Sequence, residues 1–181
     1  MCMVTKQTNV LLHPAVEDIA ETFLLANRLQ GLQGKKIGLI DNRKRNADVY
    51  LEEIARIFKE EYGVMDFQTY RKASQSIPTP SDILDDMSSN CDAIIHAIAD
   101  WGSCTTWGLH DGIESEKRGR PAVTVITEAF IKAAGIRAKT LGMIDHPVVV
   151  IEHPIASKTK DEIHDTARNS VQRIVQALSN A

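Results

Sequence analysis

The eight residues Asp92–Ala99, DAIIHAIA, constrain this chain more than any other stretch. Successive residues of a strand face opposite sides of a sheet, so a half-exposed strand alternates polar and apolar side chains. This run is apolar at both parities apart from His96. It reads as a strand covered on both faces, the signature of the middle of a parallel sheet flanked by helices. His96 is expected as a satisfied core histidine.

The rest of the chain keeps to that plan, with short β-branched runs alternating with helical patterns. Lys35–Asp41 reads as a strand entered from a Gly-rich turn. Asn46–Gly63 reads as a helix: Val49 or Tyr50, Ile54, Ile57 and Phe58 recur at helical spacing, and Gly63 is a stop signal. Val64–Tyr70 alternates loosely and suits a strand near a sheet edge. The Ser- and Pro-rich stretch Lys72–Ile83 is a loop, in which Ser81 is a candidate cap for a short helix to Asn90.

After the apolar strand, a helix is expected from about Cys104 to Arg118, ending at Gly119. Ala122–Thr127 is a fourth strand, Glu128–Gly142 a helix, and His146–Pro154 holds a fifth strand. The last helix, about Lys160 to Leu178, carries Ala167, Val171, Ile174, Val175 and Leu178 on one stripe. A further amphipathic helix is expected from Pro14 to about Leu29.

The β-α-β-α alternation calls for a parallel sheet with helices on both faces. The expected fold is a three-layer α/β/α sandwich with a mainly parallel five-stranded sheet, in the flavodoxin-like order 2-1-3-4-5. It is a single α/β domain over residues 1–181, with an N-terminal arm or helix (1–34) and a core (35–181). A homo-oligomer is a further expectation, because the segment before Lys35 needs something to pack on.

Composition narrows the functions. The net charge is -3 and there is no basic block, so no nucleic-acid partner is expected. Only 5% of residues are aromatic, too few for a base-stacking surface. No apolar run approaches membrane-spanning length, and the N-terminus has no apolar leader core. A soluble, cytoplasmic, reduced protein with no membrane partner is expected. Three cysteines, Cys2, Cys91 and Cys104, are an odd count. That argues against a disulfide framework, and their wide spacing gives no metal-ligand pair. No G-x-G-x-x-G follows the first strand and no G-x-x-x-x-G-K-[ST] occurs, so no nucleotide cofactor is expected.

In an open parallel sheet, ligands bind outside the carboxyl ends of the strands, at the switch point. Asp41, Asn42, Lys44 and Asn46 follow the first strand. Asp100, Trp101, Gly102, Ser103, Cys104, Thr105 and Thr106 follow the third, Thr127 and Glu128 the fourth, His153 and Pro154 the fifth. This is where a small-molecule site belongs. Asp, Asn, Ser and Thr also cap helices, and that is the competing role for Ser103 and Asn46.

Cys104 falls in the first turn of a helix, where unpaired N–H groups and the helix dipole favour an anion. The thiolate, the nucleophilic form, is favoured there. The same N–H groups suit a substrate carboxylate or a developing oxyanion. Gly102 permits close approach of backbone to ligand. A buried small hydrophobe is the alternative for Cys104, and it is the reading for Cys91. His110 lies about 240° round the helix from Cys104, too far round to meet the thiol. His153 reaches the thiol only if its loop folds over the pocket. Glu114 and Lys117 read as a solvated ion pair.

At these residues the chain resembles the UGSC-motif family of selenocysteine- and cysteine-containing proteins. The resemblance rests on ADWGSCTTWGLHDGIESEKRGRPAVTVITEAF, on IDNRKRNAD upstream and on PVVVIEHPI downstream, and covers most of Lys35 to Ile155. The family motif is selenocysteine or cysteine, then Gly-Ser-Cys, and implies two chalcogens three residues apart at a helix N-terminus. Here Trp101 stands at the first position and Cys104 at the second, so the dithiol cycle the motif suggests lacks one partner. By the same resemblance, Asp41, Asn42, Lys44, Asn46, Thr105, His110, Asp111, Glu114, Thr127, Glu128, His153 and Pro154 belong to the family pattern.

Three functions remain open. One is a cysteine-dependent lyase or hydrolase acting on a small polar or carboxylate-bearing substrate. Cys104, Asp41 and His153 would be its catalytic groups, and Asn42, Lys44, Asn46, Trp101, Gly102, Ser103, Thr105, His110, Thr127 and Glu128 would hold substrate. The second is a thiol redox protein in which Cys104 pairs with an external thiol. The third is a non-catalytic binding subunit.

Overall fold

The computed structural model describes residues 21–180. Five strands form one parallel sheet in the order β2-β1-β3-β4-β5, as expected. The strands are β1 (Lys36–Asp41), β2 (Asp66–Arg71), β3 (Ala93–Ala99), β4 (Ala122–Thr127) and β5 (Val148–Ile151). Every residue of β3 and β4 is buried, whereas at the edges β2 has no buried residue and β5 alternates. The apolar runs found the middle of the sheet because only there do helices cover both faces.

The helices are α1 (Ala47–Tyr62), α2 (Ser81–Asn90), α3 (Gly102–Lys117), α4 (Ile131–Thr140) and α5 (Lys160–Leu178). α1 and α5 pack together on one face. Tyr50, Ile54, Ile57 and Phe58 of α1 meet Ile163, Ala167, Val171 and Ile174 of α5 there. Each such side chain contributes roughly 1.5–3 kcal/mol on burial. Two smaller clusters lie on the other face, under α2, α3 and α4.

The local signals act as their chemistry requires. Gly63 ends α1 in the left-handed region at φ 65°. Thr159 and Glu162 cap α5 reciprocally, each side chain taking the other's backbone N–H. Ser81 does not cap α2: the cap position is Pro80, and the Ser81 hydroxyl accepts from Arg118. The helix expected from Glu128 opens instead as a 3-10 turn, Glu128–Phe130, before α4.

The chain before β1 differs most from expectation. Residues 14–20 of the expected helix lie outside the described residues, as do Cys2 and His13. Residues 21–28 are not helical. They form an extended arm, bonded by Phe23 to the Gly142 carbonyl and by Leu29 to the Leu178 carbonyl. Between those points Glu116, fully buried on α3, accepts from the Ala26 N–H, the Arg28 guanidinium and the Ala122 N–H. Backbone groups that a helix would have satisfied internally are satisfied by the body of the protein. Residues 21–28 therefore pack on their own chain.

Candidate active site

The chain between β5 and α5 crosses back over the carboxyl ends of the strands. Two contacts fix that path. Asn46, at the cap position of α1, gives its amide N–H groups to the carbonyls of Ile155 (3.0 Å) and Lys158 (2.9 Å). It makes no cap bond; its backbone is left-handed at φ 70°, a region asparagine tolerates well. The second contact joins His153 to Asp100, the first residue after β3.

Asp100 is the hub of the site. It is 1% exposed. Its Oδ1 accepts from the Thr127 hydroxyl at 2.9 Å and from His153 Nδ1 at 2.8 Å. Nδ1 is thereby committed to the carboxylate, and Nε2 is the nitrogen left for proton transfer. The His153 side chain is 33% exposed and stands edge-on to the Phe130 ring, 5.9 Å between centroids. Asp100 Oδ2 is buried with no hydrogen bond. Lys44 Nζ lies 3.7 Å from it and 5.3 Å from the centre of the Trp101 ring. Trp101 is 63% exposed.

Cys104 departs from expectation. α3 begins two residues earlier than the sequence suggested, so Gly102 and Ser103 take the outer positions and residue 104 turns inward. It is 0% exposed. Its sulfur accepts from the Trp101 N–H at 2.9 Å and the Asp100 N–H at 3.3 Å, and donates to the Trp101 carbonyl at 3.1 Å. The thiol thus acts as the return half of a capping box, the part usually played by Glu or Gln. Two backbone N–H groups converge on one atom, as they do in an oxyanion hole.

Asn42 is buried beneath this turn and donates weakly to the carbonyls of Ile98 and Cys104, both at 3.4 Å; its Oδ1 has no partner. Thr105 bonds back to the Trp101 carbonyl. Ser103 meets Ser76 of the loop after β2 and caps nothing. Asp41 points elsewhere, toward the Arg43 N–H at 2.7 Å and Arg71 at 3.2 Å. Burial pushes its carboxyl above the usual carboxylate range. Glu128 is exposed and lines a cavity of about 520 Å³ with Glu152, Lys158 and Arg173. His110 lines a different cavity of about 320 Å³, with Thr79, Glu114 and Arg118. Neither cavity is lined by Cys104 or Asp100. The Asp100 group is nonetheless the better candidate, because two buried polar atoms without partners, Asn42 Oδ1 and Asp100 Oδ2, lie there beside Cys104 and the partly exposed His153.

Beneath α3 lies a second polar group. Asp111, buried, accepts from Lys72 Nζ at 2.9 Å and from both the N–H and the hydroxyl of Thr79. Burial opposes its charge, but the His110 and His96 rings beside it and the Lys72 charge hold it far below the carboxylate range. His96 is buried as expected but not satisfied: neither ring nitrogen has a hydrogen bond. Gly108 and Gly112 let α3 approach the sheet here. A Cβ on Gly108 would meet the His96 ring at 2.9 Å, and one on Gly112 would meet Thr124 Oγ1 at 2.5 Å. Glu114 pairs with Lys117 and also with Arg118.

The structure therefore brings together Cys104, His153, Thr127, Lys44, Trp101 and Asn42, with Asn46 as a tether, and does not join Asp41, Glu128 or His110 to them. Asp100 opens the stretch after the third strand that the sequence marks out, but no role of its own is assigned to it there. Its only signal was its place at the end of the central strand. Among the described residues no cluster of side chains could hold a metal ion, and no helix is long and apolar enough to cross a membrane.

A model of the UGSC family matches residues 10–180. No curated protein matches. Among solved structures, a mutant flavo di-iron protein from Thermotoga maritima superposes with a TM-score of 0.51 at 14% identity, covering 83% of this chain. This chain spans only 37% of that protein's length. General stress protein 14 from Treponema denticola, solved with FMN, gives a TM-score of 0.48 at 9% identity, covering 79% of this chain and 99% of that one. At such identities the likeness is one of fold.

Proposed function

The chain belongs to the UGSC family, and from that premise we propose that it is a cysteine-dependent enzyme of the lyase or hydrolase type. Its substrate would be small and polar, with a carboxylate. The observation that supports this reading is the double use of Asp100. Its backbone N–H meets the Cys104 sulfur at 3.3 Å while its carboxylate orients His153 at 2.8 Å. One residue thus links a nucleophile to an acid–base group, the logic of a catalytic triad.

The steps follow from the contacts. The sulfur leaves its capping position and its proton passes to His153. The thiolate adds to the electrophilic carbon of the substrate. The electron pair displaced onto oxygen is held by the N–H groups of Trp101 and Asp100 that the sulfur has vacated. His153 returns the proton to the leaving group, and water then cleaves the bound intermediate and restores the thiol. In a lyase the same pair would remove a proton from one carbon and protonate the group leaving the next.

Alkylation tests the reading. Cys91 is an internal reference, a buried thiol pushed up to about 11 by desolvation. Iodoacetamide near neutral pH is expected to label Cys104 at least tenfold faster than Cys91, and more slowly in His153→Gln. If Cys104 labels no faster than Cys91, the cysteine chemistry is wrong. The non-catalytic binding subunit then takes its place, a reading that the full burial of Cys104 favours.

A further inference from the structure

The two unsatisfied groups beside His153 specify a ligand. Asp100 Oδ1 is saturated by Thr127 and His153, but Oδ2 has no hydrogen bond although its residue is 1% exposed. A buried carboxylate oxygen left so is costly, and marks the place of a donor. Lys44 Nζ stands 3.7 Å away, too far for a hydrogen bond, and makes none to any described residue. Its side chain is 11% exposed and it lies beside the Trp101 ring. A carboxylate oxygen and an ammonium, each without a hydrogen bond, thus face each other as a loose ion pair.

Resting on the reading above, we propose that this pair selects a small carboxylate with a hydrogen-bond donor, a hydroxyl or an ammonium, on the adjacent carbon. The carboxylate seats on Lys44, and the donor meets Asp100 Oδ2. In a 2-hydroxy or 2-amino acid the two groups are held on neighbouring carbons and present themselves together, as the spacing of Lys44 and Asp100 demands. An ammonium is drawn to the Asp100 charge it touches more strongly than the more distant Lys44 charge repels it, so both donors suit the site. A simple carboxylate fills the Lys44 half and leaves Asp100 Oδ2 unsatisfied.

Glycolate, acetate and glycine form a minimal set of probes. Titrated into the full chain and followed by the Trp101 indole signal in NMR spectra, glycolate and glycine are each expected to bind at least tenfold more tightly than acetate. Lys44→Gln should weaken glycolate and acetate alike. Asp100→Asn, which puts an amide or a poorer acceptor at the vacant position, should bring glycolate down to the level of acetate. Equal affinities for glycolate and acetate in the unsubstituted protein overturn the proposal, as does a glycolate titration that leaves the signal unmoved. These outcomes are separate from thiol reactivity. Fast alkylation of Cys104 without a donor preference sinks the ligand assignment alone. A donor preference with an inert thiol sinks the cysteine chemistry alone.

Discussion

Asp111 keeps its charge indoors only because Lys72, Thr79 and two histidines replace the water it has lost. Breaking such a pair leaves the partner charge uncompensated, at a cost of about 3–5 kcal/mol. Asp111→Asn is expected to lower unfolding stability in urea by that order. Because its carboxyl is held far below the usual range, Asp111 stabilises the fold fully above the unfolded-state value of about 3.9 and loses that contribution as pH falls further. His146 acts earlier. Burial depresses it to about 3, and its Nε2 faces the Thr124 hydroxyl at 2.9 Å. Unfolding lets it bind a proton below about 6.5, so stability falls as pH drops from there toward 3, by about 2 kcal/mol at pH 5. His96, also depressed by burial, adds to that slope. Asp41, raised by burial, opposes it at lower pH, where its protonation stabilises the folded state. Urea titrations at pH 7.5 and pH 5 should show the fall, and His146→Gln should flatten it. A slope unchanged in that variant would exclude His146 as its source.

α3 shows what an element owes to single positions. Gly108 and Gly112 allow the helix to lie on His96, Thr124 and His146, and a methyl group has no room there. Gly112→Ala is expected to cost about 1–3 kcal/mol by overpacking, read from the urea midpoint. Asn46 tests another kind of dependence. Asn46→Gly keeps the left-handed backbone but removes both tethers to the chain after β5. It should weaken glycolate binding and slow Cys104 alkylation with little loss of stability, whereas Asn46→Ala should also strain the backbone and lower the melting temperature. Strands and long helices were legible in the sequence because period and burial agree: Ile54, Ile57 and Phe58 of α1, and the stripe of α5, are buried as their spacing required. The start of α3 was not. Gly102 and Ser103 look like a loop, and only the sulfur folding back on the Trp101 N–H makes them a first turn.

At the scale of the whole molecule the fold was legible and the site only in part. β-α alternation dictates a parallel sheet, and the sheet dictates which residues reach its carboxyl edge. It does not dictate how the chain after β5 returns across that edge, which depends on one asparagine and one aspartate acting at long range. Nor does any periodicity announce the arm, whose backbone N–H groups bond to partners distant in sequence, Gly142, Glu116 and Leu178. Glu116 is the arm's anchor, and Arg28 is the only cation it meets among the described residues. Arg28→Ala should destabilise the protein by several kcal/mol and detach the arm, seen as faster amide exchange at Ala26 and Leu29. Exchange unchanged at those amides would show that backbone bonds alone hold it. The return of the chain over the strand ends has a temporal side as well. Lys44, Asp100 and Thr127 leave the ribosome in turn, but His153, and the Lys158 carbonyl that fastens its segment to Asn46, emerge only after all five strands. A nascent chain can thus collapse around its sheet while remaining chemically silent, and competence is gained only when the segment after β5 has been made.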